Sequence, residues 1–486
     1  MMENLSALFT DFYELTMAQG YWKKKKNRRS VFEMFFRKHP FKGGYSIFSG
    51  LETLINQLKT FTFSDDDIAY LQSLKFFDDG FLEYLKTFRF SGDLYAMDEG
   101  SVIFPQEPIL RVDGSFIECQ IIEGLVLNII NFQSLIATKT ARVCLASGKG
   151  GVMEFGLRRA QGLDGAMSAT RAAIIGGAVG TSNTLAAKEF GIKPMGTMAH
   201  SWVMSFPSEE EAFHAYAELY PVHPIFLIDT YDTVKSGVVN AIKVGKEIID
   251  SGGGFGVRLD SGDMYYLSRE VRRCLDEAGC QKATIAVSND LDESIISTLV
   301  NQGAPINSWG VGTRMVTGGD DASFTGVYKL AAYENEQGIL VPAVKFSDNP
   351  EKTTNPAVKQ VFRLRDGKGM AVADILSIDN IEDPDEVKNF TVGKNYVFYH
   401  PSADYRHFSY TLESPPLPLL EKRIEKGKRI LPEPSLTDIQ KHCARGLETI
   451  DVRYKRLLNP HIYKVSVTQK LRELKLELIK NYLGDL

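Results

Sequence analysis

Between residues 150 and 320, short apolar runs recur at 152–155, 195–198, 225–229, 256–260, 283–288 and 308–312, with helical spacing of apolar residues between them. From Ile225 onward the runs start 31, 27 and 25 residues apart, about one strand–helix unit each. Polar residues gather where the runs end: His200 and Ser201, Asp229 and Asp232, Asp260 and Asp263, Asn289 and Asp290, and Thr313. In a parallel α/β barrel the C-terminal strand ends converge on one mouth, where the active site sits. A doubly wound sheet is the alternative, and it would spread the same ends along a line. The rhythm therefore predicts an α/β barrel carrying a polar site.

The flanks lack this rhythm, which divides the chain into an N-terminal α/β domain (1–148), a barrel (149–345) and a C-terminal segment (346–486) packing back on both. In the first part, Asp11 and Glu14 form a D-x-x-E pattern that predicts a capped helix running to about Trp22. Val31–Phe36 and Tyr45–Phe48 read as strands around Pro40, Gly43 and Gly44. Asp65, Asp66 and Asp67 suit a helix N-terminus better than a metal site. In the last part, Pro-rich stretches mark loops, and Leu471, Leu474 and Leu478 share one face of a final helix. The segment reads as a helical extension.

Composition narrows the function. The chain has 486 residues, 44% hydrophobic and 24% charged, which is globular. Its 56 basic and 61 acidic side chains give a net charge of −5, without the basic surplus of a nucleic-acid binder. No apolar stretch reads as a membrane span, and the first 22 residues, with Asp11 and Glu14, do not resemble a signal peptide. The five scattered cysteines lack CxxC spacing, which predicts a cytoplasmic protein without a disulfide or zinc framework. More than half of the 41 glycines, 23 of them, fall in residues 150–320, where backbone would approach a ligand closely.

Several residues there could carry chemistry. Gly310-Val-Gly-Thr313 offers backbone N–H groups and a hydroxyl to a phosphate. Arg258 and Asp260 alternate with Val257, so they share one strand face and suit an anionic, hydroxylated ligand such as a sugar phosphate; the plain reading is a buried ion pair. Asp229, Asp232 and Asp263 could hold Mg²⁺ with waters and substrate phosphates, or Asp232 could simply cap the following helix. His200 stands one residue past a run, beside Thr197 and Ser201, and a neutral imidazole is a competent nucleophile near pH 7. No GxSxG, HExxH, Walker loop or well-placed GxGxxG is present.

Taken in order, Thr10-Asp-Phe-Tyr-Glu-Leu-Thr-Met17, Phe155-Gly-Leu-Arg-Arg-Ala-Gln-Gly162, Gly196-Thr-Met-Ala-His-Ser201, Gly256-Val-Arg-Leu-Asp-Ser-Gly-Asp263, Val287-Ser-Asn-Asp290, Gly310-Val-Gly-Thr313 and Lys345-Phe-Ser-Asp-Asn-Pro-Glu-Lys352 resemble the nicotinate phosphoribosyltransferase family. The likeness covers roughly residues 5–365. It implies an irregular TIM-like α/β barrel with an N-terminal α+β sandwich-type domain, usually in a homodimer with shared active sites. It also implies transfer of the phosphoribosyl group of 5-phosphoribosyl 1-diphosphate to nicotinate, with Mg²⁺, coupled to ATP hydrolysis through a phosphohistidine. On this resemblance His200 is the phosphorylated histidine. Tyr13, Phe155, Ser182, Thr197 and Arg258 contact nicotinate, and Arg158, Asp260, Gly312 and Thr313 contact phosphoribosyl diphosphate. Ala357 departs from the pattern, which often has glycine after the proline.

Two relatives and one other class compete with this reading. Nicotinamide-specific enzymes resemble the stretch Gly180-Thr-Ser-Asn183 but carry aspartate at the position of Ser182. An aspartate would repel nicotinate's carboxylate, whereas a serine donates to it. Quinolinate phosphoribosyltransferases are shorter and lack the histidine coupling. A non-catalytic sensor on the same scaffold would not need every charged position, and all are present.

Overall fold

The computed structural model describes residues 5–349, 352–379, 389–403 and 405–483. The chain forms two compact units: residues 139–322, and residues 1–138 together with 323–486. The expected breaks after 148 and 345 fall instead at 138 and 322, the first of them inside the long helix Glu123–Ser147.

The unit of residues 139–322 holds six parallel strands: β1 (Gly151–Glu154), β2 (Gly180–Thr181), β3 (Ile225–Leu227), β4 (Gly256–Leu259), β5 (Thr284–Asn289) and β6 (Ser308–Val311). Their order is β2-β1-β6-β5-β4-β3, all neighbours parallel. Helices alternate with them: α1 (Leu163–Ile175), α2 (Thr184–Phe190), α3 (His200–Met204), α4 (Glu209–Leu219), α5 (Val238–Asp250), α6 (Met264–Glu277), α7 (Glu293–Asn301) and α8 (Thr313–Val316). The strand–helix rhythm is thus real. Among the described residues the ladder leaves β2 and β3 as its edges, so the hydrogen bonding is that of a parallel sheet rather than a closed ring.

One predicted strand is absent. Residues 195–198 form no strand; next to β2 the sheet gains only a single bridge, Thr181 to Pro194. The apolar run there is spent differently, because the Met198 carbonyl turns to accept from Arg258 Nη2 at 3.0 Å.

The other unit is built on two large, mostly antiparallel sheets and a two-stranded one joining 46–47 to 102–103. One joins, in order, residues 340–342, 326–334, 29–36, 110–115, 93–96, 421–425 and 428–429. The other joins 407–411, 395–399, 464–467, 371–378, 359–365 and 417–418, with the only parallel pair among the described ladders of this sheet at 371–378 and 464–467. This second sheet corrects the expected helical extension. Its strands hide because buried charge interrupts their apolar residues: Lys359 pairs with Glu33 at 2.8 Å, and Arg363 pairs with Asp374 at 2.6 Å, all four buried beside Val361, Phe362, Leu364 and Ile375. Charged residues inside a strand erase the alternation that betrays one. Helix Gln469–Leu483 closes the segment, as the leucine stripe predicts, and helix Leu436–Glu448 precedes the sheet strand 464–467.

Two further expectations change. Asp11 occupies the N-cap of helix Phe12–Lys23 but makes no capping bond; Glu14 is fully buried and accepts from Gln120 Nε2 at 2.5 Å. Capping boxes are formed instead by Ser64 and Asp67, at the helix where three aspartates were expected to serve structure, and by Ser115 and Glu118. Phe116–Ser147 is, with a mean hydropathy of 1.5, long and apolar enough to cross a membrane by length and composition, contrary to the sequence reading. Most of its apolar window is buried inside the protein, as in a core helix. The Lys345–Lys352 motif lies partly outside the described residues.

Candidate active site

The site begins where β1 ends. Glu154, its last residue, is fully buried, and its carboxylate accepts from Thr170 Oγ1 at 3.0 Å, Thr181 Oγ1 at 2.5 Å and the Gly156 N–H. A buried carboxylate with three donors is satisfied and therefore stiff. It fixes the turn carrying Phe155, whose N–H donates to the Val311 carbonyl at 2.8 Å. The Phe155 ring lies against Gly310 of β6: a Cβ there would stand 2.6 Å from Cδ2 of the ring. Gly156 is equally forced, since a Cβ would meet Val316 Cγ1 at 2.2 Å. The glycines expected to cradle phosphate thus also make room for an aromatic ring.

Beyond this turn, Arg158 and Arg159 stand exposed on the 3₁₀ turn Leu157–Arg159. On β4, Arg258 Nη1 donates to Thr197 Oγ1, and Nη2 to the Met198 carbonyl. Burial pulls the Arg258 pKa below its usual range, against the raising pull of Asp260 and Asp229, while Arg158 lowers it further. Its Nε is buried without a hydrogen-bond partner. Such a guanidinium is desolvated and held, ready to gain from an anion.

Asp260, two residues along β4's direction, accepts from Ser288 Oγ at 2.5 Å, and its own N–H donates to Asp229 Oδ2 at 2.8 Å. Ser261 Oγ donates to the same Asp229 oxygen at 2.7 Å. Asp229 Oδ1 is buried with no hydrogen-bond partner. His200 opens α3, with Nδ1 lying 3.0 Å from Thr230 Oγ1 at the end of β3.

One cavity of about 950 Å³ brings together Phe155, Arg158, Ser182, Thr197, His200, Arg258, Asp260, Gly312 and Thr313. Most come from the ends of β1, β2, β4 and β6, as the polar clusters suggested, while Thr197 and His200 come from the strandless stretch before α3 and its first turn. The other expected residues, Tyr13, Asp229, Asp232 and Asp263, are not among its lining. Tyr13 lies in the other unit, 51% exposed on helix Phe12–Lys23. Asp232 caps the turn after it, accepting from the N–H groups of Val234 at 3.1 Å and Lys235 at 2.8 Å, which lowers its pKa. Asp263 caps α6 through Tyr266 N–H at 2.9 Å. Among the described residues no three His, Cys, Asp or Glu side chains are placed to share a metal ion, so the expected trio is not assembled. Helix starts claim two of its members, and of the three only Asp229 keeps a buried oxygen without a partner.

The structure adds residues that the pattern did not single out. Arg159 and Ser288 line the cavity, while Glu154 and Thr230 act from behind it. Arg159 was visible as the neighbour of Arg158. Glu154 and Ser288 sit inside apolar runs, where a polar residue has no distinguishing mark in one sequence. Three guanidiniums, a phenyl ring, hydroxyls and the carboxylates of Asp260 and Asp290 suit a planar anion together with a phosphorylated polyol.

Comparison with known proteins gives the same direction. The nicotinate phosphoribosyltransferase N-terminal domain matches residues 8–131, the nicotinate phosphoribosyltransferase family 151–367 and the C-terminal domain 358–475. The chain is 40% identical over 465 residues to nicotinate phosphoribosyltransferase of Bacillus subtilis, covering 95% of this chain and 93% of that one. The same enzyme of Caenorhabditis elegans is 34% identical over 96% of this chain and 92% of its own. The crystal structure of human nicotinic acid phosphoribosyltransferase superposes with a TM-score of 0.83 at 28% identity, covering 96% of this chain and 99% of that one. Nicotinate-nucleotide pyrophosphorylase of Pyrococcus furiosus shares the fold, with a TM-score of 0.68 at 21% identity, covering 91% of this chain and 95% of that one. With three family segments spanning most of its length and relatives matched nearly end to end, the chain belongs to the nicotinate phosphoribosyltransferase family.

Proposed function

We propose that the protein joins nicotinate to 5-phosphoribosyl 1-diphosphate, releasing diphosphate and nicotinate mononucleotide, as the names of its relatives say of them. The observation that carries this reading is the gathering of the Phe155 ring, three guanidiniums and the carboxylates of Asp260 and Asp290 from the ends of β1, β4 and β5 into one cavity. Phe155 stacks the pyridine ring, Arg258 and Ser182 take the carboxylate, and Asp260 accepts from ribose hydroxyls. Arg158, Arg159 and Thr313 hold the phosphates. The nicotinate nitrogen attacks the anomeric carbon with its lone pair, and the bond to the diphosphate oxygen breaks. That nitrogen carries no proton, so no general base is needed. The departing charge and the oxocarbenium-like transition state fall among fixed cations, where stabilisation is largest.

Asp229, with its unpartnered buried oxygen, and Asp260 fit a magnesium ion held mainly by substrate phosphates. When bound, the ion would neutralise leaving-group charge. His200 Nε2 attacks the γ-phosphorus of ATP and ADP leaves; water later cleaves the phosphohistidine, releasing phosphate. For Nε2 to offer its lone pair, Nδ1 must carry the proton and donate to Thr230 Oγ1. An irregular barrel with its mouth at this cavity, and a homodimer in which Tyr13 of a second copy closes the ring's other face, complete the proposal.

A single assay tests it. Mononucleotide formation is followed with nicotinate or nicotinamide, with and without ATP. The expected result is a product from nicotinate, faster with ATP, and ADP released. A preference for nicotinamide, or no product from either base, would refute the reading.

A further inference from the structure

Behind His200 lies a buried acid that the reaction does not use. Glu209, the first residue of α4, is 3% exposed. Its Oε2 accepts from Ser236 Oγ and from Asn240 Nδ2 at 3.2 Å, while Oε1 is buried with no partner. Ser236 belongs to a π-helical turn, Thr233–Gly237, that follows Asp232 directly. Single π turns are rare and concentrate at functional sites. This one is pressed against the end of β3, since a Cβ on Gly237 would fall 1.8 Å from the Ile228 carbonyl oxygen. Only glycine allows that approach.

These contacts close a ring around the histidine. His200 Nδ1 meets Thr230 Oγ1, six residues before Ser236 in the chain. Ser236 is held by Glu209. From Glu209, α4 runs to Ala212, whose carbonyl accepts from Trp202 Nε1 at 3.0 Å, and Trp202 lies two residues after His200 in α3. The loop bearing Thr230 and the helix bearing His200 are therefore tied together at one buried carboxylate. Free to separate, the two would let the imidazole turn and change its tautomer.

We infer that Glu209 is a positioning residue that, through Ser236 and the π turn, holds Thr230 against His200 and so keeps Nε2 as the unprotonated nitrogen. The inference rests on the proposed role of His200 for its functional readout, but not for its structural one. A buried side chain that orients a reacting group acts on the rate through geometry, and misplacement by about 1 Å costs up to about a hundredfold.

The test uses the full chain with Glu209→Ala, Glu209→Gln, Ser236→Ala and the Glu209→Ala/Ser236→Ala pair. Nitrogen-15 NMR of the imidazoles reads the His200 tautomer, with His200→Asn assigning the signal. The expected result is a dominant Nδ1–H form in the parent and in Glu209→Gln, whose amide oxygen still accepts from Ser236. Both alanine variants should show a mixture. Labelling from γ-³²P-ATP should slow about tenfold or more in each alanine variant, with little further loss in the pair, because both break one link. ATP-independent mononucleotide formation should stay within about twofold, which separates positioning from general damage. If Glu209→Ala does not fold, Ser236→Ala, which removes one hydroxyl, decides the matter. Parent-like tautomer and labelling in the alanine variants overturn the inference. A parent that takes no label while the variants still shift tautomer would sink the phosphohistidine and leave Glu209's positioning role standing.

Discussion

Gly310→Ala probes the site at its tightest contact. The added methyl would sit 2.6 Å from Phe155 Cδ2, 2.7 Å from Cε2 and 3.2 Å from Ser288 Cβ. Ordinary carbon contacts lie near 3.5–4.0 Å, so the ring must move by about 1 Å. It has little slack, because the Phe155 N–H is bonded to Val311 and the next residue, Gly156, packs on Val316. Overpacking of this kind costs about 1–3 kcal/mol. In a unit of this size each kcal/mol lowers Tm by roughly 2–4 °C. A displaced ring also loses its stacking on the pyridine, roughly 0.5–1.5 kcal/mol, or about two- to tenfold in nicotinate affinity. Calorimetric titration with nicotinate and a thermal melt measure both terms. Pairing Gly310→Ala with Phe155→Leu should recover the melt, since the smaller side chain vacates the space, but not the affinity. Parent-like nicotinate binding by Gly310→Ala would refute the ring's assigned place.

Three further outcomes follow from named groups. Arg258→Ala should weaken nicotinate by about ten- to a hundredfold, the worth of a charge-assisted bond of about 1.5–3 kcal/mol, and phosphoribosyl diphosphate far less; equal weakening in separate titrations would count against the assignment. Ser182→Asp should move the nicotinate-to-nicotinamide ratio of kcat/KM at least about tenfold toward the amide, and an unchanged ratio would remove Ser182 from the specificity argument. Burial above all, with nearby Glu14 and Asp11 and against Lys329, pushes the Glu123 carboxyl up to about 7. A raised folded pKa gives stability that is complete below about pH 4.5 and lost as pH rises through 7, so urea unfolding should show a loss on the order of 1–3 kcal/mol over that window. Glu123→Gln should flatten the dependence, and parallel curves for the two proteins would contradict it.

How far the fold was legible depended on what each element buries. Strands β4, β5 and β6 bury apolar side chains, with Val257, Leu259, Ile285, Val287, Trp309 and Val311 all within a few per cent of full burial. They read as runs because parallel strands covered on both faces are apolar without alternation. Residues 359–365 and 371–378 bury Lys359, Gln360, Arg363 and Asp374 among Val361, Phe362, Leu364, Ile375 and Leu376, so the same degree of burial leaves an apolar signature broken by charge. The partners that make those burials tolerable are remote: Glu33 lies 326 residues from Lys359 and Tyr463 lies 89 from Asp374. A local pattern carries no trace of them.

The site shows the same division between what a residue is and what holds it. His200 and Asp260 were legible because they stand where an apolar run ends, and Arg258 because it alternates with Val257 and so shares a strand face with Asp260. Asp229, Asp232 and Asp263 break runs in the same way, yet two of them cap helices, and their spacing alone does not separate the roles. What separates them is which lone pairs remain. Asp232 spends one oxygen on two backbone N–H groups and Asp263 one on a third. Asp229 commits Oδ2 to Asp260 and Ser261 and keeps Oδ1 buried and unspent. A buried acceptor left open costs about 1–3 kcal/mol unless something uses it. The candidate metal ligand is therefore the aspartate with an unpaid acceptor, and that is a property of three dimensions which no spacing of acidic residues encodes.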